Sequence, residues 1–180
     1  ACYKPHSHPT FSIGAVDAGG SLFTGSHGRQ SALGPGSLVL VPAGCVHACN
    51  PLPDQAWSYQ MLHLDAQWLH GAVPQLCTDS ATVLHDPALY ARFCAMNALL
   101  FSCACVADKQ AALLAWLHAC ASASGGRALP STAARLPPQL LPAVEALAAQ
   151  PLASLAHLAQ LAGMSRYQLI RAFRAATGMT

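Results

Sequence analysis

The sequence predicts an α+β chain with more than one domain, in which a small β-barrel precedes a helical hairpin and an all-α unit. Short β-rich runs separated by Gly- and Pro-containing turns fill residues 1–85, a pattern typical of barrels and sandwiches. From residue 86 onwards the apolar residues recur every three or four positions, as they do in amphipathic helices. A Gly-, Ser- and Pro-rich stretch at 123–138 predicts a linker before the last helices.

Six strands are predicted in the first of these regions. They end at turn signals such as the Gly-Pro-Gly of 34–36 and the Pro-Ala-Gly of 42–44. The predicted strands are 11–16, 21–24, 29–33, 37–41, 46–49 and 57–64. Because all of them are short and closely spaced, we expect a β-barrel over residues 1–85.

Two helices are predicted over residues 86–122. Asp86 and Pro87 are favourable at the N-cap and at the first helical position. Asp108 is the predicted N-cap of the second helix. The two helices are close enough along the chain to form a hairpin, which either packs only on its own barrel or also pairs with a second subunit.

Composition and charge exclude some classes of protein. The longest weakly polar stretch, 93–106, is too short for a membrane span, which needs roughly 20 apolar residues. No secretory leader is recognised at the start. Eight cysteines occur without a CxxC pair, which argues against a zinc finger and favours reduced thiols in a cytoplasm. We therefore expect a cytoplasmic protein that does not enter a membrane.

The charge is unevenly distributed. Residues 1–123 carry four Lys or Arg and six acidic residues, whereas residues 124–180 carry five Arg and one Glu. The net charge is thus −2 for the first segment and +4 for the second. A basic end on a weakly acidic body suggests that the C-terminal region binds phosphates.

Three histidines in the strand region have a suggestive spacing. His6 and His8 are two residues apart, so both imidazoles point to one side of an extended segment. His47 follows the corner formed by Gly36, five residues, Pro42, one residue and Gly44. The remaining histidines have no such spacing and are interpreted as ordinary surface or partly buried residues: His27, His63, His70, His85, His118 and His157.

These motifs resemble those of the cupin family, whose second motif is G-x5-P-x-G-x2-H. Metal-binding cupins also carry a Glu four residues after the second His of the first motif, and here that position is Ser12. The resemblance implies that His6, His8 and His47 line an effector pocket or hold a divalent metal such as Zn, Ni or Fe. Cys49 is a weaker candidate ligand.

The C-terminal 139–180 segment contains the most informative motif. A helix from Leu155 is followed by Gly163, which permits a sharp turn, and by Ser165 as the N-cap of the next helix. Leu169 and Phe173 are predicted to pack inward. The opposite face of the second helix is basic and suits the major groove of DNA.

The run from Leu155 to Thr180 resembles the first helix-turn-helix of the AraC/XylS family of transcriptional regulators. The resemblance implies that Tyr167, Ile170 and Arg171 face bases, with Arg166 nearby, and that Ser165 and Arg174 contact phosphates. It also implies a homodimer formed through residues 86–122, double-stranded DNA as a partner, and RNA polymerase as a further one. The family has a second helix-turn-helix, so we expect this sequence to be a fragment or the product of a truncated gene.

Two functions are weighed on this basis. The leading one is a non-enzymatic, ligand-responsive transcriptional regulator, in which an effector in the barrel alters DNA binding. The similarity of the first 50 residues to regulators found beside amino-acid exporter genes suggests an amino acid as effector. The alternative is a metal-dependent cupin enzyme, an oxygenase or isomerase, that uses His6, His8 and His47.

Overall fold

The computed structural model describes residues 4–25, 28–124 and 136–177. The chain divides into two compact units, Ala1–Ser131 and Thr132–Thr180, and each is described by itself. Most of the predicted linker (125–135), the end of the C-terminal motif (178–180) and His27 lie outside the described residues.

Seven strands of the first unit form two antiparallel sheets. The strands are β1 (Phe11–Ala18), β2 (Ser21–Thr24), β3 (Gln30–Leu33), β4 (Ser37–Val41), β5 (Ala48–Pro51), β6 (Ser58–Leu64) and β7 (Thr82–His85). One sheet has the order β6-β1-β4-β7 and the other the order β3-β2-β5. β1 is central in the larger sheet, where Ile13 pairs with Leu40 of β4 and with Leu62 of β6.

The described strands have the sheets expected of the predicted strand domain, but they form no closed barrel. A barrel needs a continuous ladder from one edge strand round to the other. Here β6 and β7 end one sheet, β3 and β5 end the other, and the described strands form no closed ring. The six predicted strands are observed with boundaries that differ by at most about two residues, a usual uncertainty for element ends.

Sequence patterns missed a short helix and a strand between β6 and the helical hairpin, together with the 3-10 turn Pro74–Leu76. Helix α1 (Ala66–Ala72) is capped by Asp65, whose carboxylate accepts a hydrogen bond from the backbone N–H of Trp68 at 2.7 Å. β7 extends the larger sheet by pairing with β4. Both elements are too short to show a clear hydrophobic period.

The helical hairpin consists of α2 (Pro87–Leu100) and α3 (Val106–Ala123). The predicted start of α2 is confirmed, since the Asp86 carboxylate accepts from the N–H groups of Ala88 and Leu89 at 2.9 and 3.0 Å. The predicted cap of α3 is wrong. The helix begins earlier, with Cys105 as N-cap, and Asp108 lies in the first turn, where its N–H donates to the Cys105 sulfur.

Both helices pack against one face of the larger sheet. Phe93 and Trp116 meet edge to face with their ring centroids 5.1 Å apart, and the Trp116 Nε1–H donates to the Leu89 carbonyl at 3.0 Å. Further buried side chains of this core are Phe11, Ile13, Ala15, Leu38, Leu40, Leu64, Leu69, Val73, Leu76, Leu89, Met96, Leu117 and Cys120. The hairpin and the sheet therefore share one hydrophobic core. Among the described residues, no helix has the length and apolar character needed to cross a membrane.

The second unit contains a 3-10 turn (Pro138–Leu140) and three helices, α4 (Leu141–Ala149), α5 (Leu155–Leu161) and α6 (Arg166–Thr177). Their ends agree with the predicted boundaries to within about one residue. The small core of this unit is formed by Leu140, Ala143, Leu158, Ala159, Ala162 and Leu169.

Candidate functional site

The face of the larger sheet opposite α2 and α3 lines a cavity between the two sheets. Side chains alternate along a strand, so Ser12, Gly14 and Val16 of β1 point into this cavity while their neighbours enter the helix-side core. The cavity has a volume of ≈ 280 Å³. Its lining residues are His6, His8, Ser12, Gly14, Ala15, Val16, Phe23, Leu33, Val39, Val41, His47, Cys49, Trp57, Tyr59, Met61 and His63.

Backbone pairing brings the three predicted histidines together at this cavity. His6 and His47 form an isolated antiparallel bridge, in which each N–H donates to the other residue's carbonyl at 2.9 Å. The N–H of Gly44 donates to the His8 carbonyl at 2.8 Å. The segment before β1 is thereby joined to the corner before β5, although the two are about 40 residues apart in sequence and neither pairing is local.

The rings of His6, His8 and His47 are close enough to act as one site. Their centroids are 5.0 Å apart for His6 and His8, 4.6 Å for His6 and His47, and 5.3 Å for His8 and His47. One potential ligand nitrogen of each ring lies within 4.8 Å of those of the other two. The structure therefore brings together all three histidines that the sequence singled out.

Hydrogen bonds fix the orientation of two of these rings. The Nδ1 of His47 lies 3.0 Å from the Cys45 carbonyl, and the Nδ1 of His6 lies 2.8 Å from the Lys4 carbonyl. A carbonyl can only accept, so Nδ1 carries the proton and donates in both cases. Each neutral ring then keeps its Nε2 lone pair for a ligand.

The surroundings favour neutral imidazoles. Burial lowers the pKa of His47, although the Cys45 carbonyl opposes this by stabilising the protonated ring, and the charges of His6 and His8 lower it further. Burial also lowers the pKa of His8, and repulsion from His6 and His63 adds to the effect. The neutral form is the one that coordinates a metal or accepts a hydrogen bond from an effector.

Sequence reasoning missed a fourth histidine at the same place. The ring of His63 on β6 lies 5.3 Å from that of His8, centroid to centroid. Its Nδ1 is 2.9 Å from the Ser12 hydroxyl and 3.3 Å from that of Thr10. The alternation of Tyr59, Met61 and His63 along β6 was a signal that these side chains share a face. Their pairing with β1 could not be read from the sequence.

Cys49 lies on the cavity wall but outside the close group of histidines. Its sulfur is 3.2 Å from the hydroxyl of Ser21, and the group of potential ligand atoms within 4.8 Å of one another contains only His6, His8 and His47. Burial raises the pKa of the Cys49 thiol, and the contact with Ser21 partly offsets this. A protonated thiol is a poor metal ligand, so the structure offers less support for Cys49 than for the histidines.

The rest of the cavity is aromatic and apolar. Phe23 stacks on His47 at 6.0 Å, and Trp57 stacks on Tyr59 at 4.4 Å. The described lining includes no Asp, Glu, Lys or Arg. An occupant would therefore meet flat apolar surfaces and neutral imidazoles rather than a fixed charge.

Comparison with known proteins identifies this architecture. Residues 2–162 match the family of the AraC-like ligand binding domain. The chain belongs to this family. No curated protein sequence matches it significantly.

Solved structures with a similar fold include ToxT and the AraC-like transcriptional activator CuxR. Apo ToxT K231A from Vibrio cholerae strain SCE256 superposes with a TM-score of 0.59 at 9% identity, covering 99% of this chain and 71% of ToxT. The AraC-like transcriptional activator CuxR gives a TM-score of 0.53 at 14% identity, covering 96% of this chain and 63% of CuxR. ToxT with a bound unsaturated fatty acid gives 0.54 at 6% identity, covering 99% of this chain and 69% of that one. At these identities the likeness shows the fold alone.

In the second unit of this AraC-like chain, α5 and α6 are joined by a tight turn. Gly163 has φ +63°, a backbone conformation that favours glycine. Ser165 and Gln168 then form a reciprocal pair, in which the N–H of Gln168 donates to the Ser165 hydroxyl at 3.2 Å and the N–H of Ser165 donates to the Gln168 side-chain oxygen at 2.9 Å. This is the capping box that starts many helices.

The side chains predicted to contact DNA lie on the surface of this unit. Leu169 is buried as expected, whereas Phe173 is only half-buried and is not among the side chains that pack on the core of this unit. The Arg171 guanidinium lies 5.6 Å from the centroid of the Tyr167 ring. The six exposed candidates are Ser165, Arg166, Tyr167, Ile170, Arg171 and Arg174.

Proposed function

We propose that this AraC-like chain is a ligand-responsive transcriptional regulator, in which a small effector binds the cavity between the sheets and alters how α6 binds DNA. The observation that carries the proposal is the aromatic and histidine-lined cavity in a domain of the ligand-binding family. The activator CuxR, which has the same fold, supports a role in transcription. The effector acts by binding two arrangements of the protein with different affinity.

The cavity suggests which effectors to test. Its aromatic walls suit a molecule with a flat or apolar part, and its imidazoles suit a hydroxyl or a carboxyl group. A ToxT structure holds an unsaturated fatty acid, so a short-chain or aromatic carboxylic acid is our first choice. A free amino acid is less favoured, because the described lining has no carboxylate to bind its ammonium group.

DNA recognition is assigned to the exposed face of α6. Arg171 and Arg166 are the donors suited to guanine or to phosphate, and Ile170 suits a thymine methyl group. Ser165 and Arg174 are proposed to contact phosphates, and Tyr167 to lie against a base. The net charge of +4 over residues 124–180 supports an electrostatic contribution to binding.

A mobility-shift assay tests this assignment, using a duplex enriched from a random-sequence pool by the wild-type protein. Replacing Arg171 by Ala should weaken binding by about 5- to 150-fold, the value of one good base contact. Arg29→Ala is the matched control, since it removes the same charge from an exposed position between β2 and β3 in the other unit, outside the cavity lining and the two hairpin helices. Equal binding by wild type and Arg171→Ala, or equal losses in both variants, would refute recognition through α6.

Three further properties belong to the same proposal. A homodimer formed through α2 and α3 would place two copies of α6 on adjacent half-sites. A contact with RNA polymerase and a cytoplasmic location complete the proposed role. Sedimentation of the protein with and without DNA measures the dimer directly, and a monomer under both conditions would remove it from the proposal.

The second candidate function is a metal-dependent enzyme of the cupin type, and the grouping of His6, His8 and His47 is what favours it. An oxygenase or isomerase also needs a group that transfers protons near the metal. The described cavity supplies further imidazole, the Tyr59 and Ser12 hydroxyls and the Cys49 thiol, but no carboxylate. Turnover of a substrate by the metal-loaded protein would establish this function, and we rank it below the regulator.

A further inference from the structure

Four imidazoles form a cluster at one end of the cavity, and the regulator proposal assigns them no more than a polar contact with the effector. His8 is its centre, with ring centroids 5.0 Å from His6, 5.3 Å from His47 and 5.3 Å from His63. Histidines gathered in this way inside a cavity repel one another when protonated. Such a cluster is stable when its rings are neutral and share a ligand that accepts their lone pairs.

Three of the four rings are already oriented as metal ligands are. The Nδ1 atoms of His6 and His47 donate to backbone carbonyls, and that of His63 lies 2.9 Å from the Ser12 hydroxyl. Metal-bound histidines commonly hold their second nitrogen in such a hydrogen bond, which fixes the tautomer and the ring orientation. In His6 and His47 Nε2 is therefore the nitrogen left for an ion, and it is also the nitrogen left in His63 when the Ser12 hydroxyl accepts from Nδ1–H.

The pairing of β1 with β6 explains why His63 joins the cluster. Ser12 and His63 are directly opposite each other in the strand register, so their side chains rise from the sheet on the same side. Ser12 occupies the position where the sequence motif led us to expect a carboxylate ligand. Its small hydroxyl instead supports an imidazole from the neighbouring strand.

We propose that His6, His8, His47 and His63 form a binding site for one divalent transition-metal ion, with His63 as the fourth ligand. An all-imidazole set suits Zn²⁺, Ni²⁺ or Cu²⁺ and is unsuited to Mg²⁺ or Ca²⁺, which prefer oxygen. His6, His8 and His47 already present nitrogens within 4.8 Å of one another. Bonds of about 2.0 Å in a tetrahedral site bring such atoms to about 3.3 Å, so the rings close around the ion and His63 turns towards it beside His8.

A metal ion at this site would also supply a positive charge to the cavity. The described lining carries no Lys or Arg, and a bound dication would provide the positive charge that an anionic effector needs. The metal site lies in the cavity that the proposed function assigns to the effector, and its role beside an effector rests on that proposed function. Metal binding is measured without DNA or effector, so the two proposals fail separately.

Zinc binding to the whole chain tests the site, by competition with a chromophoric chelator under reducing conditions. We expect one tightly bound ion per wild-type chain and none in His8→Ala. His63→Ala and His63→Gln should each lower the affinity by at least about 10-fold, because even the loss of a group that only orients a ligand costs about 10- to 100-fold. His85→Ala is the matched control, because His85 lies opposite Ser37 in the same sheet and contacts its hydroxyl at 3.2 Å, yet does not line the cavity.

The X-ray absorption spectrum of the zinc-loaded protein tests the ligand set. Four imidazoles are expected in wild type and three in His63→Ala, without a sulfur shell. The proposal is overturned by a wild-type protein that binds no ion, by a sulfur ligand, by an unchanged imidazole number in His63→Ala, or by a loss in His85→Ala as large as that in His63→Ala. Circular dichroism confirms that each variant is folded, and Arg171→Ala should bind zinc like wild type whatever its behaviour towards DNA.

Discussion

The two faces of the four-stranded sheet differ in chemistry although they are formed by the same strands. On β1 the residues Phe11, Ile13 and Ala15 face α2 and α3 and are buried in an apolar core. The alternate residues Ser12, Gly14 and Val16 face the cavity. One face is filled by well-packed side chains, while the other leaves a space lined by imidazoles and aromatic rings. The cavity side also holds a smaller buried apolar cluster that includes Val16, Val39 and Val41. The imidazoles lie on that side only, so substitutions should largely separate binding from stability.

A single glycine helps to keep the cavity side open. A Cβ atom at Gly14 would lie 3.5 Å from the terminal methyl group of Met61, in ordinary contact with the cavity wall. Larger side chains at this position would enter the space that the histidines share. On the helix side the neighbouring Ile13 has no exposed surface at all, which is the condition expected of a position selected for packing.

The largest effect is expected where the helix face is most closely packed. Phe93→Ala removes a fully buried ring that contacts Trp116, and it should lower the free energy of unfolding by about 3–5 kcal/mol. Denaturant unfolding followed by circular dichroism measures this. Phe101→Ala is the control, since that ring lies at the end of α2 and is 85% exposed. It should change stability by no more than about 0.5 kcal/mol, and similar losses in both variants would contradict the assignment of this core.

A smaller loss is expected from a polar contact within the same core. Trp116→Phe keeps an aromatic ring but removes the Nε1–H that donates to the Leu89 carbonyl. The buried carbonyl then lacks this donor, which costs about 1–3 kcal/mol. Unfolding curves of Trp116→Phe and Phe93→Ala, compared under the same conditions, give the order of the two effects. If Trp116→Phe were the more damaging, the hydrogen bond and not ring packing would dominate this face.

The parts of this architecture that follow from neighbouring residues were predictable. Asp86 before Pro87 located the start of α2, and Ser165 located the start of α6, because caps act within one helical turn. The same rule gave a wrong cap for α3, where the sulfur of Cys105 takes the role assigned to Asp108. A thiol is an unusual cap, so residue preferences did not indicate it.

The parts that depend on distant pairing were not predictable from local patterns. Whether short strands close into a barrel or form two sheets depends on which edges pair, and strand sequences carry little information about this. For the same reason the sequence did not show that His63 belongs to the site, because His63 is separated from its partner Ser12 by 51 positions. His6, His8 and His47 were found because they match a known motif, while His63 lies outside that motif. The candidate site was therefore predicted only in part.

The smallest effect is expected on the cavity face, at the serine that supports His63. Ser12→Ala removes the hydroxyl 2.9 Å from His63 Nδ1 and leaves Thr10 as the remaining hydroxyl at 3.3 Å, so it should cost only about 1 kcal/mol of stability. Ser37→Ala removes the corresponding hydroxyl beside His85, and it should cost more stability because that hydroxyl also accepts from the Gly34 N–H at 3.1 Å. Only Ser12→Ala should alter the balance of His63 tautomers, which long-range ¹H–¹⁵N spectra of the imidazoles report. If the tautomer balance of His63 were unchanged in Ser12→Ala, the hydrogen bond from the neighbouring strand would not orient this ring. The two faces of the sheet would then differ only in packing.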